Sequence, residues 1–395
     1  LDADWAQVKV ESAPVDQARY GWQGTGGSAA IAASYQALRS AGAAARAMLV
    51  AAAAQRWRVD AQTIQVKQGV VSHPESGRKA TFGDLAALAV QQTVPPEPPL
   101  KDPKNFSLIG KTLSRKDSGK TDGTALFTQD IQLPDMLTAA VLHPPRFGAT
   151  LVSVDDSAAR KLPGVAAVLS VGNTVAVLAD TFWQAKQARE QVKVQWDESA
   201  AFRDSSDALF RQYRLLADVQ GTVARAEGDL DAAFAKAHTK LEAYYDFPFL
   251  AHASMEPLNC VVQVNADGAE VWNGCQFQTA DQGAVAAELG LKPEQVKINT
   301  LLAGGSFGRR ASANSDYVVE AARIAKAYGK PVPVKLVWTR ENDTRAGYYR
   351  PMMVHKLKAG LDKQGKIIAW QHRIVGQSIA KGTAYESMVQ NGIDP

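Results

Sequence analysis

Residues 258–310 read LNCVVQVNADGAEVWNGCQFQTADQGAVAAELGLKPEQVKINTLLAGGSFGRR and contain the segments from which an α/β layer is built. Two apolar, β-branched runs flank Asp267-Gly268, a dipeptide typical of two-residue hairpin turns. A helical pattern, a third strand and a glycine-rich segment follow, ahead of another helix. The predicted elements are strands 258–264, 270–274 and 295–301 and helices 279–289 and 315–328. This order predicts an α/β layer with a loop at its edge.

The two cysteines lie in this stretch. A two-residue turn at Asp267-Gly268 would place Cys260 opposite Cys275 in a hydrogen-bonded pair, which is the less suitable geometry for a disulfide. We therefore expect both thiols to stay free. Two cysteines and six histidines, without HExxH or HxxxH spacing, also exclude a disulfide framework, a Cys-ligated iron–sulfur cluster and a four-Cys zinc site.

Outside this stretch the pattern predicts a multidomain chain of the α/β (α+β) class. A strand is expected at residues 5–10, and a pair of strands at 66–71 and 80–89, with Gly69 in a turn. Between them we expect an Ala-rich helix with Ser28 as its N-cap, ending near Trp57. Beyond a Pro-rich linker, short strands and helices at 155–162 and 181–192 predict a compact α+β unit, and 202–238 is mainly helical.

Composition excludes several classes of protein. With 46% hydrophobic and 21% charged residues, the 395-residue chain is typical of globular proteins rather than disordered ones. Its net charge of +4 is small and dispersed, so we expect no nucleic-acid partner. Arginines 39, 46 and 56 interrupt the most apolar stretch, and no transmembrane helix is predicted. Because the chain opens with Leu1, we expect a piece of a longer protein.

The glycine-rich segment 303–310 is the first candidate site. Gly304, Gly305 and Gly308 would let backbone N–H groups approach a bound anion, and Arg309 and Arg310 would supply fixed donors. The spacing matches neither a Walker loop nor GxGxxG. The alternative is a tight strand-to-helix turn with solvated arginines.

Other candidates have equally plain alternatives. Gly24, Gly26, Gly27 and Ser28 precede the long helix and could bind an anion at its N-terminus, or Ser28 could simply cap it. Gln276 could donate a hydrogen bond from its amide to a ligand, or it could be a surface residue. Glu256 could be a site residue, but its context favours a hydrogen-bonded acid in a turn. Residues 348–351 could line a pocket or form an edge strand.

Taken together, these motifs resemble the large, molybdenum-cofactor-binding subunit of the xanthine oxidase family of molybdenum hydroxylases. Within that family the chain is most similar to the branch of isoquinoline 1-oxidoreductase β-subunits and membrane-bound aldehyde dehydrogenases. The matching stretches are 23–46, 109–130, 141–148, 181–189, 251–260, 272–278, 304–310 and 337–343, with Tyr349-Arg350-Pro351. Departures are Ser306 in place of a glycine, Cys275 in place of a threonine, and no carboxylate after Arg310, so a purine substrate is not expected.

The resemblance implies molybdopterin-binding α/β pieces flanking a small hammerhead α/β domain. The five implied parts are a cofactor-binding segment (1–92), a Pro-rich linker (93–103), a hammerhead domain like that of aldehyde oxidase and xanthine dehydrogenase (104–200), a helical connection (201–239) and a truncated molybdopterin-binding domain (240–395). It further implies catalytic roles for Gln276, beside the apical oxo ligand of molybdenum, and for Phe307 and Gly308, beside the oxo groups and substrate ring. The implied cofactor-binding residues are Gly24, Gly26, Gly27, Ser28, Gly304, Gly305 and Arg309; no side chain is implied as a metal ligand.

The implied activity is hydroxylation of an N-heteroaromatic ring or an aldehyde with water as the oxygen source. The implied cofactor is molybdenum with molybdopterin, as the cytosine dinucleotide, and [2Fe–2S] clusters on a separate small subunit, with a cytochrome c subunit as a further partner. The implied location is the periplasm or the inner membrane, the alternative being the cytoplasm. The family's catalytic glutamate falls beyond this chain, so we expect the chain alone to be catalytically incomplete. The alternatives are a non-catalytic module that binds no metal and a nucleotide-dependent oxidoreductase, for which no dinucleotide fingerprint is present.

Overall fold

A computed structural model describes residues 1–116, 119–345, 347–383 and 385–394, so residues 117 and 118 of the predicted 104–200 part and residues 346, 384 and 395 of the 240–395 part lie outside the description. The strands are β1 (Gln65–Lys67), β2 (Val70–His73), β3 (Arg78–Thr81), β4 (Leu137–Leu142), β5 (Thr150–Asp155), β6 (Val165–Val171), β7 (Thr174–Ala179), β8 (Lys193–Asp197), β9 (Thr239–Phe247), β10 (Asn259–Val264), β11 (Ala269–Asn273), β12 (Val296–Thr300), β13 (Val334–Val337), β14 (Met353–Leu361) and β15 (Ile367–Gly376). The helices are α1 (Gln17–Tyr20), α2 (Ala30–Trp57), α3 (Phe82–Ala89), α4 (Gly119–Asp122), α5 (Phe182–Arg189), α6 (Ser206–Asp218), α7 (Leu230–Lys236), α8 (Gln278–Leu289), α9 (Asp316–Tyr328) and α10 (Arg340–Arg345). The α/β class with several sheets is confirmed.

The chain forms two compact units, and the first consists of Leu1–Ala13 and Thr25–Ala125. In this unit α2 and α3 pack on the three-stranded sheet β1-β2-β3 around buried residues that include Leu49, Val71 and Leu85. Alanine is the strongest helix former, and α2 ends at the predicted Trp57, where Arg58 takes the left-handed conformation. The Pro-rich segment lies inside this unit, and the five-part division stays a prediction.

Three local predictions in the first unit are wrong. Residues 5–10 form no strand, because Asp4 caps a short 3-10 turn at Trp5–Gln7. Ser28 does not cap α2: its φ is +56°, and the N-cap is Ala29, which makes no side-chain bond. The strand predicted over 80–89 ends at Thr81, where a capping box with Asp84 starts α3.

The second unit comprises Pro14–Gly24 and Leu126–Pro395. Its main sheet has seven strands in the order β12-β11-β10-β13-β4-β7-β6. Helices α8 and α9 bury their apolar sides against it, with residues such as Val285 and Val318 packing on Val271 and Leu336. Strand β13 lies between β10 and β4 and is buried at all four positions, as expected for a central strand.

The hairpin of β10 and β11 forms as predicted, but with a different register. Val264 pairs with Ala269, and the Asn265 N–H donates to the Gly268 carbonyl at 2.8 Å. Neither Asp267 nor Gly268 has the positive φ that a type I′ turn centred on them requires. The register is therefore offset by two residues from the one that would place the two cysteines opposite each other, and both are free.

Two smaller sheets complete this unit: β15-β14-β9, on which α6 packs, and the pair β5-β8. The helix predicted at 155–162 is wrong, because β5 continues to Asp155 and only Ala159–Lys161 makes a 3-10 turn. The helical character predicted for 202–238 is confirmed by α6 and α7. Among the described residues, no helix combines the length and the apolarity needed to cross a bilayer.

Candidate functional site

The parallel pairing of β11 with β12 creates the candidate site. Carboxyl ends of parallel neighbours meet at one edge of a sheet, so Gly274–Gln276, after β11, emerges beside the glycine-rich segment after β12. There the Ser306 hydroxyl donates a hydrogen bond to the amide oxygen of Gln276. The structure thus brings together two candidates that are thirty residues apart in sequence.

The glycine-rich segment, 303–308, has an unusual backbone that presents one aromatic ring. The φ angles of Gly305 and Gly308 are +103° and +101°, and that of Phe307 is +56°. A bulky residue in the left-handed region is strained, and such strain concentrates at functional sites. The Phe307 side chain remains 77% exposed. The loop therefore holds an apolar ring outward instead of using it to fill the core.

Glu256, at the end of a second segment (residues 252–256), forms hydrogen bonds with this loop and an ion pair with Arg310, which follows the loop. Its carboxylate accepts hydrogen bonds from the Gly304 N–H at 2.7 Å and from Asn259 Nδ2 at 3.0 Å, and it pairs with Arg310 at 3.1 Å. A Cβ at Gly304 would lie 2.5 Å from the Glu256 Cβ, so only glycine fits there. The interpretation of Glu256 as a hydrogen-bonded acid is the one that this geometry supports.

Both arginines are buried, so the alternative of solvated arginines is wrong. Arg310 is 1% exposed and donates to the carbonyls of Gly305 and Gly274 as well as to Glu256. Arg309 is 4% exposed and makes two bonds to the Asp316 carboxylate, at 3.0 and 2.6 Å. Both guanidinium groups are therefore buried and ion-paired rather than solvated, although the Nε of Arg309 has no hydrogen-bond partner within the described residues.

Tyr348, in the aromatic cluster that follows α10, belongs to this arrangement. Its ring lies against the Arg309 guanidinium, with 5.5 Å from Cζ to the ring centroid, and Trp338 lies 5.6 Å away. Arg350 forms an isolated β-bridge with Leu250. The cluster thus both covers a buried cation and makes a short edge pairing.

Sequence reasoning missed His252, which lies beside the loop. Its Nε2 is 4.0 Å from the position that a Cβ on Gly308 would take, and its Nδ1 is buried without a hydrogen-bond partner. Burial, and then the Arg309 guanidinium, lower the pKa of His252 below its usual range. The imidazole is therefore neutral at pH 7. The HASMEP sequence around Glu256 was the only available signal.

A second residue that the sequence did not reveal is Asp281 in α8. It is 2% exposed, and one carboxyl oxygen has no hydrogen-bond partner. Burial raises the pKa of this carboxyl to about 7, although contacts with Ser315 and Cys275 partly offset the effect. A protonatable acid thus lies directly behind the strand end that carries Gln276.

The four predicted residues at 24–28 are divided between the two units. Gly24, in the second unit, lies against the Trp22 ring, which meets Phe277 edge to face at 5.2 Å. The adjoining backbone is anchored by a 2.8 Å bond from the Gln23 N–H to Thr279 Oγ1. In the first unit, Gly26, Gly27 and Ser28 precede α2, whose first N–H groups receive no side-chain cap.

Two family models match the chain, and both describe a molybdopterin cofactor-binding domain. One matches residues 216–393 and the other residues 1–132. The first range contains Gln276, Phe307 and Gly308, and the second contains residues 24–28. Each of these two groups of candidate residues therefore falls within a region similar to a molybdopterin cofactor-binding domain.

Curated relatives agree with this assignment. Isoquinoline 1-oxidoreductase subunit beta of Brevundimonas diminuta is 33% identical over 96% of this chain and 54% of that protein. The membrane-bound aldehyde dehydrogenase (pyrroloquinoline-quinone) of Gluconacetobacter polyoxogenes is 29% identical over 100% of this chain and 52% of its own length. The chain therefore spans about half the length of these relatives.

Solved structures share the fold. Quinoline 2-oxidoreductase from Pseudomonas putida 86 superposes with a TM-score of 0.54 and 19% identity, over 67% of this chain and 38% of that one. The aldehyde oxidoreductase from Desulfovibrio desulfuricans superposes with a TM-score of 0.52 and 19% identity, over 74% of this chain and 37% of that one. At this identity the likeness establishes the architecture and not the chemistry.

Proposed function

The chain belongs to the family of molybdopterin cofactor-binding domains, and from this premise we propose that it is part of the catalytic subunit of a molybdenum hydroxylase. The proposed reaction is oxidation of an N-heteroaromatic ring or an aldehyde, with water as the source of oxygen. The names of the relatives, an isoquinoline oxidoreductase and an aldehyde dehydrogenase, support these two substrate classes.

The observation that carries the proposal is the junction of Gln276 with the 303–308 loop through Ser306. The residues present fit a bound organic cofactor at this edge. Apart from its neighbours Phe307 and Arg309, no described residue lies nearer to the Cβ position of Gly308 than His252 Nε2 at 4.0 Å, so the loop backbone is open to close approach. Arg310 is occupied by Glu256 and by backbone carbonyls, so the donors that remain are the Gln276 amide, backbone N–H groups and the Nε of Arg309.

Each residue at this edge has a role that follows from its contacts. Gln276 would hold an oxygen ligand of the cofactor through its amide, whose orientation is fixed by Ser306. Phe307 would pack against a flat substrate, because its exposed ring is held outward by a strained backbone. The bound cofactor supplies the redox chemistry, while the protein orients it and excludes competing reactions.

In the first unit, we propose a phosphate-binding segment at residues 26–28 on the basis of family resemblance. Gly26, Gly27 and Ser28 precede the uncapped N-terminus of α2, where unpaired N–H groups and the helix dipole favour phosphate. We also propose, from the family resemblance, that the cofactor is the cytosine dinucleotide form of molybdopterin. The same resemblance supports a hammerhead domain at residues 104–200.

The proposed partners are a small [2Fe–2S] subunit and, as a further carrier, a cytochrome c subunit. Two cysteines are too few to ligate iron–sulfur clusters within this chain. A relative whose name includes "subunit beta" supports assembly with other subunits. We propose a periplasmic or inner-membrane-associated complex.

The test is the content of molybdenum and pterin per chain. The full-length parent would be co-expressed with its small subunit in a host that makes the cofactor, and then assayed with isoquinoline and with aldehydes. We expect about one molybdenum per chain and turnover of at least one of these classes. A ratio near zero, with no pterin, would contradict the proposal and favour a non-catalytic module.

A further inference from the structure

Lys335 is a buried cation without an ion-pair partner. It lies in the central strand β13 and is 5% exposed. Its Nζ donates one hydrogen bond, at 2.9 Å, to the backbone carbonyl of Gln129. Within the described ranges no carboxylate lies within ion-pairing distance of this amine. Burial lowers the pKa of Lys335, and the smaller effect of the Asp130 carboxylate, which also accepts from the Phe127 N–H, raises it.

A cavity of about 490 Å³ opens beside this amine, on the side of the sheet away from α8 and α9. Strand alternation explains the placement: Val334 and Leu336 face the main core, whereas Lys335 and Val337 line the cavity. Thr138, which is opposite Lys335 in the parallel pairing with β4, lines it too. The volume falls within the range of small-molecule pockets.

The rest of the lining combines apolar walls with neutral polar side chains such as Gln132 and Thr339, and the charges at its rim are balanced. Apolar walls come from Met136, Phe182, Pro257, Val337 and Trp338. At the rim, Lys186 pairs with Glu190, and Arg340 pairs with Asp343. The rim acids Asp180 and Glu341 are exposed, so solvent screens them. Lys335 is therefore the buried charged group in the lining that has no counter-ion among the described residues.

From this geometry we propose that the cavity binds a small monocarboxylate with an apolar body, its carboxylate paired with Lys335. A buried, unpaired ammonium is costly, and an anionic ligand removes that cost. The single cation matches one negative charge, and the apolar walls match a hydrocarbon body better than inorganic phosphate, which needs many donors. This site is separate from the 303–308 loop and is independent of the proposed hydroxylase activity.

The test is calorimetric titration of the full chain with sodium benzoate at pH 7, with benzamide as the neutral analogue and inorganic phosphate as a simple anion. Loss of the charge in Lys335→Met should weaken benzoate binding by about tenfold or more. Lys335→Arg, which keeps the charge, should retain binding. Lys326→Met is the matched control, because Lys326 also donates to one backbone carbonyl, that of Glu288 at 2.9 Å, but lies on the surface.

We expect benzoate to bind the wild type and Lys326→Met equally, and benzamide and phosphate to bind at least about tenfold more weakly. Removing an uncompensated buried charge should leave Lys335→Met folded, which its melting temperature checks. Equal binding of benzoate to Lys335→Met, or of benzamide to the wild type, would overturn the carboxylate site. Phosphate binding as tight as benzoate binding would overturn the choice of ligand class.

Discussion

Arg310 and Glu256 form an ion pair whose side chains are 0% and 8% exposed, with 3.1 Å between Nη2 and Oε2. The pair connects the segment before β10 with the loop after β12, fifty-four residues later in the chain. Both ends make further bonds, to the carbonyls of Gly305 and Gly274 on one side and to the Gly304 N–H on the other. The loop that presents Phe307 is therefore held by buried charges.

Breaking this pair should destabilise the second unit strongly. Glu256→Gln leaves the Arg310 guanidinium buried without its counter-ion, which typically costs about 3–5 kcal/mol. The free energy of unfolding in urea measures the effect. Glu288→Gln is the control, because its partner Arg323 is half exposed and such pairs contribute about 1 kcal/mol or less. Equal losses in both variants would contradict the buried-charge argument.

The glycine at position 304 should be irreplaceable. Gly304→Ala places a Cβ about 2.5 Å from that of Glu256, and overpacking of this kind costs about 1–3 kcal/mol. Gly283→Ala, in α8, meets no atom within 4 Å in the described structure and should stabilise the helix by about 0.5–1 kcal/mol. Thermal melting distinguishes the opposite signs, and a stable Gly304→Ala protein would refute the close approach.

Gln276→Ala should lower turnover of the full-length complex without unfolding it. Removing one fixed hydrogen-bond donor at a reacting centre commonly costs about 10²–10³ in kcat. Gln263→Ala, at a residue whose amide donates to the Pro331 carbonyl in an exposed contact, is the control and should leave turnover unchanged. Wild-type turnover in the Gln276 variant would exclude this residue from the site.

Phe307→Ala should change substrate preference more than stability. The ring is 77% exposed and adds little to the core, so we expect a loss below about 1 kcal/mol. The ratio of kcat/KM for an aromatic and an aliphatic aldehyde, measured on the full-length complex, should shift towards the aliphatic one. A large fall in melting temperature at unchanged preference would instead make Phe307 a structural residue.

Asp281 should make stability depend on pH. Its pKa is about 7 in the folded protein and about 4 when unfolded, so the folded state holds the proton more tightly. Stability from this group is complete below the unfolded pKa and is lost as pH rises to about 7. The side chain introduced by Asp281→Asn has no proton to lose. The free energy of unfolding of this variant, relative to that of the wild type, should therefore rise by roughly 3–4 kcal/mol between about pH 4 and pH 8.

Urea unfolding of wild type and Asp281→Asn across this pH range measures the difference. Asp267→Asn, in the exposed hairpin turn, is the control and should follow the wild-type curve. Parallel curves for wild type and Asp281→Asn would show that the carboxyl is not proton-linked to folding.

Local sequence patterns determined most of the elements. Alanine-rich composition predicted that α2 ends near Trp57, and β-branched runs predicted β6 at both ends. Motif resemblance identified Gln276 and the 303–308 loop, and the structure joins them through Ser306. These features depend on neighbours a few residues apart or on motifs that the sequence displays directly.

Tertiary structure decided what the side chains do. The burial of Arg309 and Arg310 depends on Asp316 and Glu256 as counter-ions, and Glu256 lies far away in sequence. Likewise, His252 beside Gly308 and Lys335 at a cavity follow from long-range packing. The residue type determines which charge a side chain can carry. Its burial, its partners and its pKa depend on segments that only the folded chain brings together.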